Sequence, residues 1–354
     1  MPKARTARSV SPTASPALAA ALIVRDEARC IVRCLESVRP WVDRMVVVDT
    51  GSRDATPALA RDCGAQVHHL PWPDDFSAAR NHALALADAD WALVIDADEW
   101  IDAGGEALRR WCAGPPRLGA VCIHSSYDPP EGTPTGDALP EGRNWIPRLL
   151  PRGVRYAGRV HEQPDSPLPL ARIDLHLGHD GYREAQAAGK RGRNEPLLRR
   201  ALQDHPGDPY LLFQLGKDAE VRGAYDAALE SYGPALAGTP AGAGWRHALV
   251  VRTLHCLGQC GQVDTALDLA ERELPAWRES PDFFFVLGNL LLDRALADPA
   301  RALGHWLPLA ETAWERCLAI GERPDLEGSV QGRGSHLARH NLEVLRGQLA
   351  LLAA

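Results

Sequence analysis

Two aspartates separated by one residue follow an apolar run in the first third of the chain. Asp96 and Asp98 come after Trp91–Ile95, which reads as a buried strand. Hard divalent cations prefer oxygen ligands, and Mg²⁺ typically takes one or two carboxylates together with substrate phosphates. A cation held there would neutralise the charge that develops on a diphosphate leaving group. An Asp-x-Asp pair alone is usually a solvated turn, but after a buried strand it indicates metal-assisted chemistry on a diphosphate.

Two further aspartates stand at the ends of apolar runs. Asp26 follows Leu18–Val24, and Asp49 follows Arg44–Val48. In a parallel sheet the carboxyl ends of the strands share one edge, where ligands bind. A purely structural role explains little for an acid in this position. We therefore expect Asp49 and Asp98 to act on a ligand.

The elements that must position these acids alternate between strand and helix. Short apolar runs predict strands and amphipathic stretches predict helices. The predicted order is strand Leu18–Val24, helix Ala28–Val38, strand Arg44–Val48, helix Thr56–Cys63, strand Ala65–Leu70, helix Ser77–Ala87 and strand Trp91–Ile95. Such alternation is typical of an α/β domain with a mostly parallel, Rossmann-like sheet. Residues 119–182 are irregular, and we expect strands and long loops there that complete the site.

After Tyr182 the chain becomes helical and repeats itself. Small and apolar residues recur at a constant spacing, with Leu212, Ala219, Gly223, Ala228 and Leu229 repeated as Val250, Leu257, Gly261, Ala266 and Leu267. Stacked helix pairs need a small residue at the turn and alanines where the helices touch. This half resembles tetratricopeptide repeats, with a generic helical bundle as the alternative. We predict a disordered tail at 1–17, an α/β domain at 18–183 and an all-α helical-repeat domain at 184–354.

The composition limits the class of protein. A formal net charge of −7 and an isoelectric point near 6.0 provide no basic field for nucleic acid. Eight cysteines without a CxxC pair predict reduced, mostly buried thiols of a cytoplasmic protein. The apolar run Ala17–Val24 reads as a strand rather than a signal peptide, and no stretch is long enough for a transmembrane segment. The basic run Lys190–Arg193 is interpreted as a solvated face.

Several short motifs of the first half occur together in one order. They are Val24–Glu27, Val47–Asp54, Asp75–Asn81, Trp91–Trp100, Arg148–Leu150, Gly158–Gln163 and His179–Tyr182. Jointly they resemble family-2 glycosyltransferases of the GT-A fold, over about Leu18 to Tyr182. With helical repeats attached, the chain is similar to the branch containing the peptide S-glycosyltransferases of glycocin biosynthesis. Lipopolysaccharide-core glycosyltransferases also have a similar catalytic domain.

The resemblance implies a nucleotide-sugar donor, with UDP as the nucleotide, and a divalent metal, Mg²⁺ or Mn²⁺. It implies that Val24, Arg25 and Glu27 line the nucleotide pocket. The sequence departs from the common motif there, because Arg25 is followed by Asp26 where Lys-Asn is frequent. Asp49 would accept a hydrogen bond from a uracil base.

The resemblance assigns further roles around the diphosphate. Ser52 and Asp54 would support the Asp49 loop, although Asp54 is equally suited to cap the helix near Thr56. Arg80 would reach the pyrophosphate, because a planar guanidinium matches phosphate oxygens. Asp96 would contact the ribose, or the metal through water. Asp98 would ligate the metal directly.

Two histidines and two glutamates complete the candidate residues. Family-2 enzymes generally invert the anomeric centre in one displacement, which requires a general base for the acceptor. Glu162 is the predicted base, with His161 orienting it or contacting the donor phosphate; the alternative is a polar turn. His179 is a candidate third metal ligand, although a lone histidine is more often structural. Glu99 is expected to be a supporting or surface residue rather than a catalyst.

The chain is thus interpreted as an inverting, metal-dependent glycosyltransferase of the hexosyltransferase type. We expect a peptide or protein acceptor, because repeat grooves commonly hold peptide segments, and a glycan acceptor is the alternative. The main competing hypothesis is a helical-repeat partner-binding protein with a vestigial sugar-nucleotide site. A nucleotidyltransferase would require a Gly-rich phosphate-binding loop near the amino terminus. No such loop is present around Val24–Arg29, so this alternative is set aside. Oligomeric state is left open, with a homodimer allowed.

Overall fold

The computed structural model describes residues 15–126, 141–181, 192 and 194–353. These residues form two compact units. The first unit holds the described residues up to Gly158 and those from Glu162 to Gly181, and the second holds Arg159–His161 and those from Gly192 onward. Most of the predicted tail, the predicted domain boundary at 183 and 184, and the basic run apart from Gly192 lie outside the described residues.

Strands and helices alternate through the first part of the first unit. They are β1 Leu18–Val24, α1 Ile31–Val38, β2 Arg44–Asp49, α2 Thr56–Asp62, β3 Gln66–His69, α3 Phe76–Ala87, β4 Trp91–Val94, β5 Glu99–Ala103 and α4 Ala107–Cys112. The remaining elements are strands, namely β6 Leu118–Ser126, β7 Glu141–Pro151, β8 Arg155–Ala157, β9 Gln163–Asp165 and β10 Leu170–His179. Each predicted strand and helix is present, within three residues at either end.

The main sheet has eight strands in the order β3-β2-β1-β4-β7-β6-β10-β5, and β8 and β9 pair separately. The pairs β1/β2, β1/β4, β2/β3 and β6/β10 are parallel, whereas β7 and β5 join antiparallel. Alternate side chains of β1 enter different cores, because successive residues of a strand face opposite sides. Leu22 joins the core of Leu35 in α1, and Ala21 joins that of Ala83 in α3. This fold is the α/β GT-A class expected from the sequence.

Local sequence features explain two of these helices, one by its buried face and one by its N-terminal cap. α1 buries Ile31, Cys34, Leu35 and Val38, the spacing of one helix face. α3 begins at Phe76, one residue earlier than predicted, because the Asp75 carboxylate accepts a hydrogen bond from the Ala78 N–H at 2.9 Å.

The second unit is helical in its described residues from 195 on. Its helices are α5 Glu195–Asp204, α6 Pro209–Val221, α7 Tyr225–Gly238, α8 Arg246–Gln259, α9 Val263–Trp277, α10 Pro281–Ala297, α11 Pro299–Arg301, α12 Leu307–Ile320 and α13 His336–Ala353, with a π-helical turn at Ala302–Trp306. Gly223 and Gly261, which the repeat pattern equates, end α6 and α8 with φ of +74° and +70°. Both repeated alanines, Ala228 and Ala266, are fully buried.

Two expectations about the whole chain can be compared with the described residues. No disulfide joins any of the eight cysteines, and only Cys260 is more than slightly exposed. In the part of the chain that the structure describes, no helix combines the length and the apolar character that a membrane span requires.

Candidate active site

Asp49 ends β2 at the carboxyl edge of the sheet and is only 3% exposed. Its Oδ1 accepts a hydrogen bond from the Ser52 N–H at 3.2 Å. Its Oδ2 lies 3.1 Å from Nδ1 of His69, the last residue of β3. The backbone of the next turn and a neighbouring imidazole therefore hold this carboxylate, and the imidazole is a contact that the sequence did not reveal.

The loops that follow β1 and β2 are joined by side-chain hydrogen bonds. The Asp26 backbone, with φ of 54°, donates its N–H to Ser52 Oγ at 2.9 Å. The Asp26 carboxylate in turn accepts from the Arg53 N–H at 2.7 Å. A left-handed φ is tolerated by aspartate better than by most residues, so the departure from Lys-Asn in this motif keeps a residue suited to the turn.

Asp54 supports the same loop and does not occupy the N-cap position of α2, which is Ala55. Its Oδ2 accepts from the Ala28 N–H at 3.0 Å, and its Oδ1 accepts from the Thr56 N–H at 2.9 Å. The buried hydroxyl of Thr56 accepts from the Glu27 N–H at 2.8 Å. Asp54 therefore accepts a hydrogen bond from the first N–H of α2 and also links the loop after β2 to the loop after β1.

The three residues expected to line the nucleotide pocket have different exposures. Val24 ends β1 and is 3% exposed, and its carbonyl accepts from Thr50. The Arg25 side chain is half exposed. Glu27 accepts a hydrogen bond from the Cys30 thiol at 3.2 Å. Arg25 and Glu27 can therefore present side chains to a ligand, whereas Val24 can offer little beyond its backbone.

Five charged side chains form a cluster, which we call the arginine–carboxylate cluster. Arg80 of α3 donates from Nε to Glu162 Oε1 at 2.5 Å and from Nη2 to Asp96 Oδ1 at 2.9 Å. Arg148 of β7 donates from Nη2 to Asp96 Oδ2 at 2.7 Å and to Glu99 Oε1 at 2.8 Å. Asp96 is thus gripped on both oxygens, and Glu99, expected to be supporting or at the surface, is a buried supporting residue.

The cluster shifts the proton affinities of its members in opposite directions. Burial favours the neutral form of Asp96, but the charges of Arg148 and Arg80 outweigh it and hold the pKa of that carboxyl well below its usual range. Burial is the largest influence on Glu99 and raises its pKa despite Arg148. Burial would lower the pKa of Arg80, yet Asp96 and Glu162 raise it. Asp96 and both guanidiniums are therefore charged at neutral pH.

Two nitrogens of the arginine–carboxylate cluster have no hydrogen-bond partner among the described residues. They are Nη1 of Arg80 and Nε of Arg148, both buried. A buried polar group without a partner calls for an explanation, and a ligand that completes the bonding is one. Phosphate oxygens suit these N–H groups, since guanidinium binds phosphate with charge-assisted hydrogen bonds.

Asp98 and His179 meet at the same edge of the sheet. Nε2 of His179, the last residue of β10, lies 3.7 Å from Asp98 Oδ2, and its Nδ1 is 3.1 Å from Ser125 Oγ. Both side chains are largely buried, at 10% and 13% exposure. Burial works to lower the pKa of His179, but the interaction with Asp98 overcomes it and raises that pKa. A carboxylate and an imidazole facing each other are a donor set that a divalent cation accepts.

A glycine keeps the space beside this pair open. A Cβ at Gly181 would lie 2.4 Å from Asp98 Oδ2 and 2.6 Å from His179 Nε2. Any side chain there would press on both candidate ligand atoms. Glycine at position 181 therefore leaves both candidate ligand atoms unobstructed, which fits the metal assignment.

Asp96, the remaining residue of the predicted metal set, is bound by arginines. Both oxygens of Asp96 accept bonds from arginines, as described above. Asp96, Asp98 and His179 do not form a group of three ligand atoms within 4.8 Å, and within the described ranges one such group exists, at Cys122, His124 and His176. A direct role of Asp96 as a ligand has no support in this geometry, while contact through water stays a prediction.

His161 and Glu162 have separate surroundings despite being neighbours in the chain. Glu162 pairs with Arg80, whereas His161, with φ of 54°, belongs to the second unit. Burial, helped by the charge of Lys217, lowers the pKa of His161 to about 4. The imidazole is therefore neutral at pH 7, and among the described contacts it is Arg80, not His161, that orients the Glu162 carboxylate.

Sequence reasoning assigned no role to two residues that the site contains. Arg148 stood in a noted motif, but nothing in its spacing reveals that it reaches Asp96 from an antiparallel strand. Asp180 accepts from Arg29 at 3.0 Å and from Arg33 at 2.8 Å, and these bonds outweigh burial and lower its pKa. The available sequence signal for Asp180 was that an acidic residue directly follows the end of a strand, at His179–Asp180.

Part of the chain matches a known family, and longer stretches are similar to known proteins. Residues 20–128 match the family described as Glycosyl transferase family 2. A TPR repeat-containing protein of Synechococcus elongatus is 37% identical over 218 residues, covering 55% of this chain and 50% of that protein. The SPbeta prophage-derived glycosyltransferase SunS of Bacillus subtilis is 26% identical over 276 residues, covering 74% of this chain and 64% of SunS. The chain thus spans between half and two thirds of the length of these relatives.

Among solved structures, a similar chain is glucosyl-3-phosphoglycerate synthase from Mycobacterium tuberculosis, determined with Mn²⁺, UDP and glucosyl-3-phosphoglycerate. The match is 23% identical and covers 32% of this chain and 45% of the synthase, with a TM-score of 0.27. A likeness of this size adds nothing to the assignment of residues.

Proposed function

We propose that this chain, whose first unit carries a family 2 glycosyltransferase domain, is an inverting, metal-dependent glycosyltransferase of the hexosyltransferase type. The observation that carries the proposal is the buried Arg80, which joins Asp96 of the Asp-x-Asp turn to the candidate base Glu162. Three separate sequence motifs meet around that one side chain, and the motif of Glu162 is far from the other two in the chain. A purely structural ion pair does not explain why the buried Nη1 of Arg80 has no hydrogen-bond partner among the described residues.

The proposed donor is a UDP-sugar bound along the carboxyl edge of the sheet. Asp49, at the end of β2, would accept a hydrogen bond from the uracil, and the linked loops around Asp26 and Ser52 would hold the ribose end. Asp98 and His179 would hold Mg²⁺ or Mn²⁺. That cation supplies neutralisation of charge on the diphosphate, and Arg80 offers a further N–H to a phosphate oxygen.

The proposed reaction is a single displacement. The acceptor nucleophile forms a bond to the anomeric carbon while the bond from that carbon to the diphosphate oxygen breaks, which inverts the centre. Glu162 takes the proton of the nucleophile, and UDP leaves with its developing charge met by positive groups. Arg80 also restricts the rotation of the Glu162 carboxylate, so that the base is positioned before the acceptor arrives.

We propose a peptide or protein as acceptor and a cytoplasmic location. The helical unit supports the first, because stacked helix pairs form extended surfaces of the kind that hold peptide segments. The thiol chemistry of eight cysteines without a disulfide supports the second. Light scattering will show whether the chain also forms the homodimer that flat helical surfaces allow.

The deciding experiment is a screen of UDP- and other nucleotide-linked sugars for donor hydrolysis, with and without Mn²⁺. The Asp98→Ala variant should lose metal-dependent turnover, whereas Asp102→Asn, a change at an exposed acid of β5, should keep it. Unchanged metal dependence in Asp98→Ala would refute the metal assignment. Calorimetry with UDP and Mn²⁺ completes the test, because absence of metal-dependent binding would favour a partner-binding protein with a vestigial site.

A further inference from the structure

Three metal-ligating side chains lie on adjoining strands, away from Asp98 and His179. Cys122 and His124 stand two residues apart on β6 and so face the same side of the sheet. The parallel pairing of β6 with β10 places His176 opposite Cys122. The ligand atoms of the three residues all lie within 4.8 Å of one another.

The two imidazoles of this group are in direct contact. Nε2 of His124 lies 2.9 Å from Nδ1 of His176. In the absence of a cation, one of these nitrogens must carry a proton and donate it to the other. With both nitrogens deprotonated, the two are close enough to bind one cation together, since a zinc–nitrogen bond is about 2.0–2.1 Å long.

A carboxylate holds the far side of His176. Its Nε2 lies 3.2 Å from Asp174 Oδ1, and this bond assigns the ring proton to Nε2 and the lone pair to Nδ1. Metal-ligating histidines commonly donate their second ring N–H to a carboxylate in this way. The contact with Asp174 is an observation independent of the three ligand atoms, and it also points to a metal.

This group lies on the opposite face of the sheet from His179, the candidate metal ligand of the active site. Leu175 and Leu177, the neighbours of His176 in β10, belong to the main core on the α1 side. His179 is three residues beyond His176, and an odd separation along a strand reverses the face. The two groups are therefore separate sites, and they differ in chemistry, since the active-site pair offers an oxygen and a nitrogen.

We propose that Cys122, His124 and His176 bind one Zn²⁺ ion, which clamps β6 to β10 and leaves a fourth position for water. A thiolate with two imidazoles is a ligand set that suits zinc, whereas Mg²⁺ and Mn²⁺ favour oxygen. Zinc bonds of about 2.3 Å to sulfur and about 2.0–2.1 Å to nitrogen would bring the three atoms closer than 4.8 Å. The thiol proton of Cys122 is released on binding.

The test uses the full chain, stripped of metal by a chelator. Titration with Co²⁺ as a spectroscopic substitute for zinc should give a thiolate-to-metal charge-transfer band that saturates at one ion per chain. Zinc should displace the cobalt and abolish the band. The Cys122→Ser variant should lack the band, and His124→Ala and His176→Ala should weaken binding by at least tenfold.

Three further variants separate this site from its neighbours. Asp174→Asn should weaken binding by roughly 10- to 100-fold, as loss of an outer-shell partner does. Cys260→Ser and Asp98→Ala should keep the band, because neither contributes a ligand here. A wild-type chain without a thiolate band, or an undiminished band in Cys122→Ser, would overturn the proposal. The wild-type titration decides even if a variant fails to fold.

Discussion

Arg80 and Glu162 form a buried ion pair that joins the middle of helix α3 to the segment before β9. The same guanidinium also holds Asp96, so the phosphate-binding candidate positions the candidate base. Donor binding and proton removal therefore depend on one side chain. Substitutions at Arg80 should affect both, and substitutions at Glu162 only one.

The Arg80→Lys variant keeps the positive charge but cannot span Glu162 and Asp96 with a planar fork. Sugar transfer should fall by about 100-fold or more, with weaker UDP binding. Removing one partner of a buried pair typically costs about 3–5 kcal/mol, so the charge-removing Arg80→Ala should also lower the free energy of unfolding substantially. Steady-state kinetics and chemical denaturation measure the two effects. Wild-type kcat in Arg80→Lys would contradict the proposed role.

The Glu162→Gln variant should lose transfer by roughly 10²- to 10⁴-fold, the contribution expected of a general base. Calorimetric affinity for UDP and Mn²⁺ should change little, because the amide retains the shape of the side chain. Asp165→Asn, at an exposed acid three residues further on, is the matched control and should retain transfer. Equal losses in the two variants would exclude a specific role for Glu162.

The Asp49→Ala variant removes the proposed hydrogen-bond acceptor for the base. Hydrogen bonds to charged groups contribute about 1.5–3 kcal/mol, which corresponds to a rise of roughly 10- to 150-fold in KM for the donor. Because the reacting bond is remote from the base, kcat should fall less. The distinguishing measurement compares UDP- and GDP-sugars, since a loss of discrimination requires direct contact with the base. Retained preference for one base would assign Asp49 to the turn alone.

The Gly181→Ala variant tests the space beside Asp98 and His179. A methyl group 2.4 Å from one ligand atom and 2.6 Å from the other forces them to move. Mn²⁺ affinity should fall at least tenfold, with the fold intact by circular dichroism. Gly233→Ala, where a Cβ meets nothing within 4 Å, is the control. Unchanged Mn²⁺ affinity in Gly181→Ala would place the cation elsewhere.

His161 supplies a pH-dependent prediction. Its pKa is lowered from 6.5 to about 4, so the unfolded chain binds more protons than the folded chain between those values. The contribution of His161 to stability is therefore complete above about pH 6.5 and is lost as the pH falls towards 4, by at most about 3 kcal/mol. NMR titration should give the low pKa directly, and Lys217→Met should raise it. A His161 pKa at or above 6.5 would show that the ring is solvated.

The alternating strands and helices around Leu18–Val94 were predictable because each is a local pattern of a few residues. The placement of the residues at the strand ends was also predictable. A strand end is visible in the sequence, and the carboxyl ends of parallel strands lie along one edge of the sheet. Asp49, Asp96 and Asp98 lie along that edge for this reason. Arg80 was found through its motif.

The remaining contacts depend on pairing between distant strands. Arg148 reaches Asp96 because β7 inserts antiparallel beside β4, and no local pattern states which strand will be its neighbour. His69 meets Asp49 through the register of β2 and β3. Glu99 is buried because β5 begins there and pairs with β10, which lies far along the chain. The group of Cys122, His124 and His176 could not be predicted for the same reason, since His176 comes from β10.

Strand β10 carries two imidazoles on opposite faces, one for each proposed cation. Its hydrogen-bond register with β6 fixes both at once, through His176 opposite Cys122 and His179 opposite Ser125. Sliding the strand by a single position would turn each ring to the wrong side of the sheet. Deleting one residue within β10 should thus abolish two chemically unrelated metal affinities together, a linked loss that no point substitution elsewhere in the domain would reproduce.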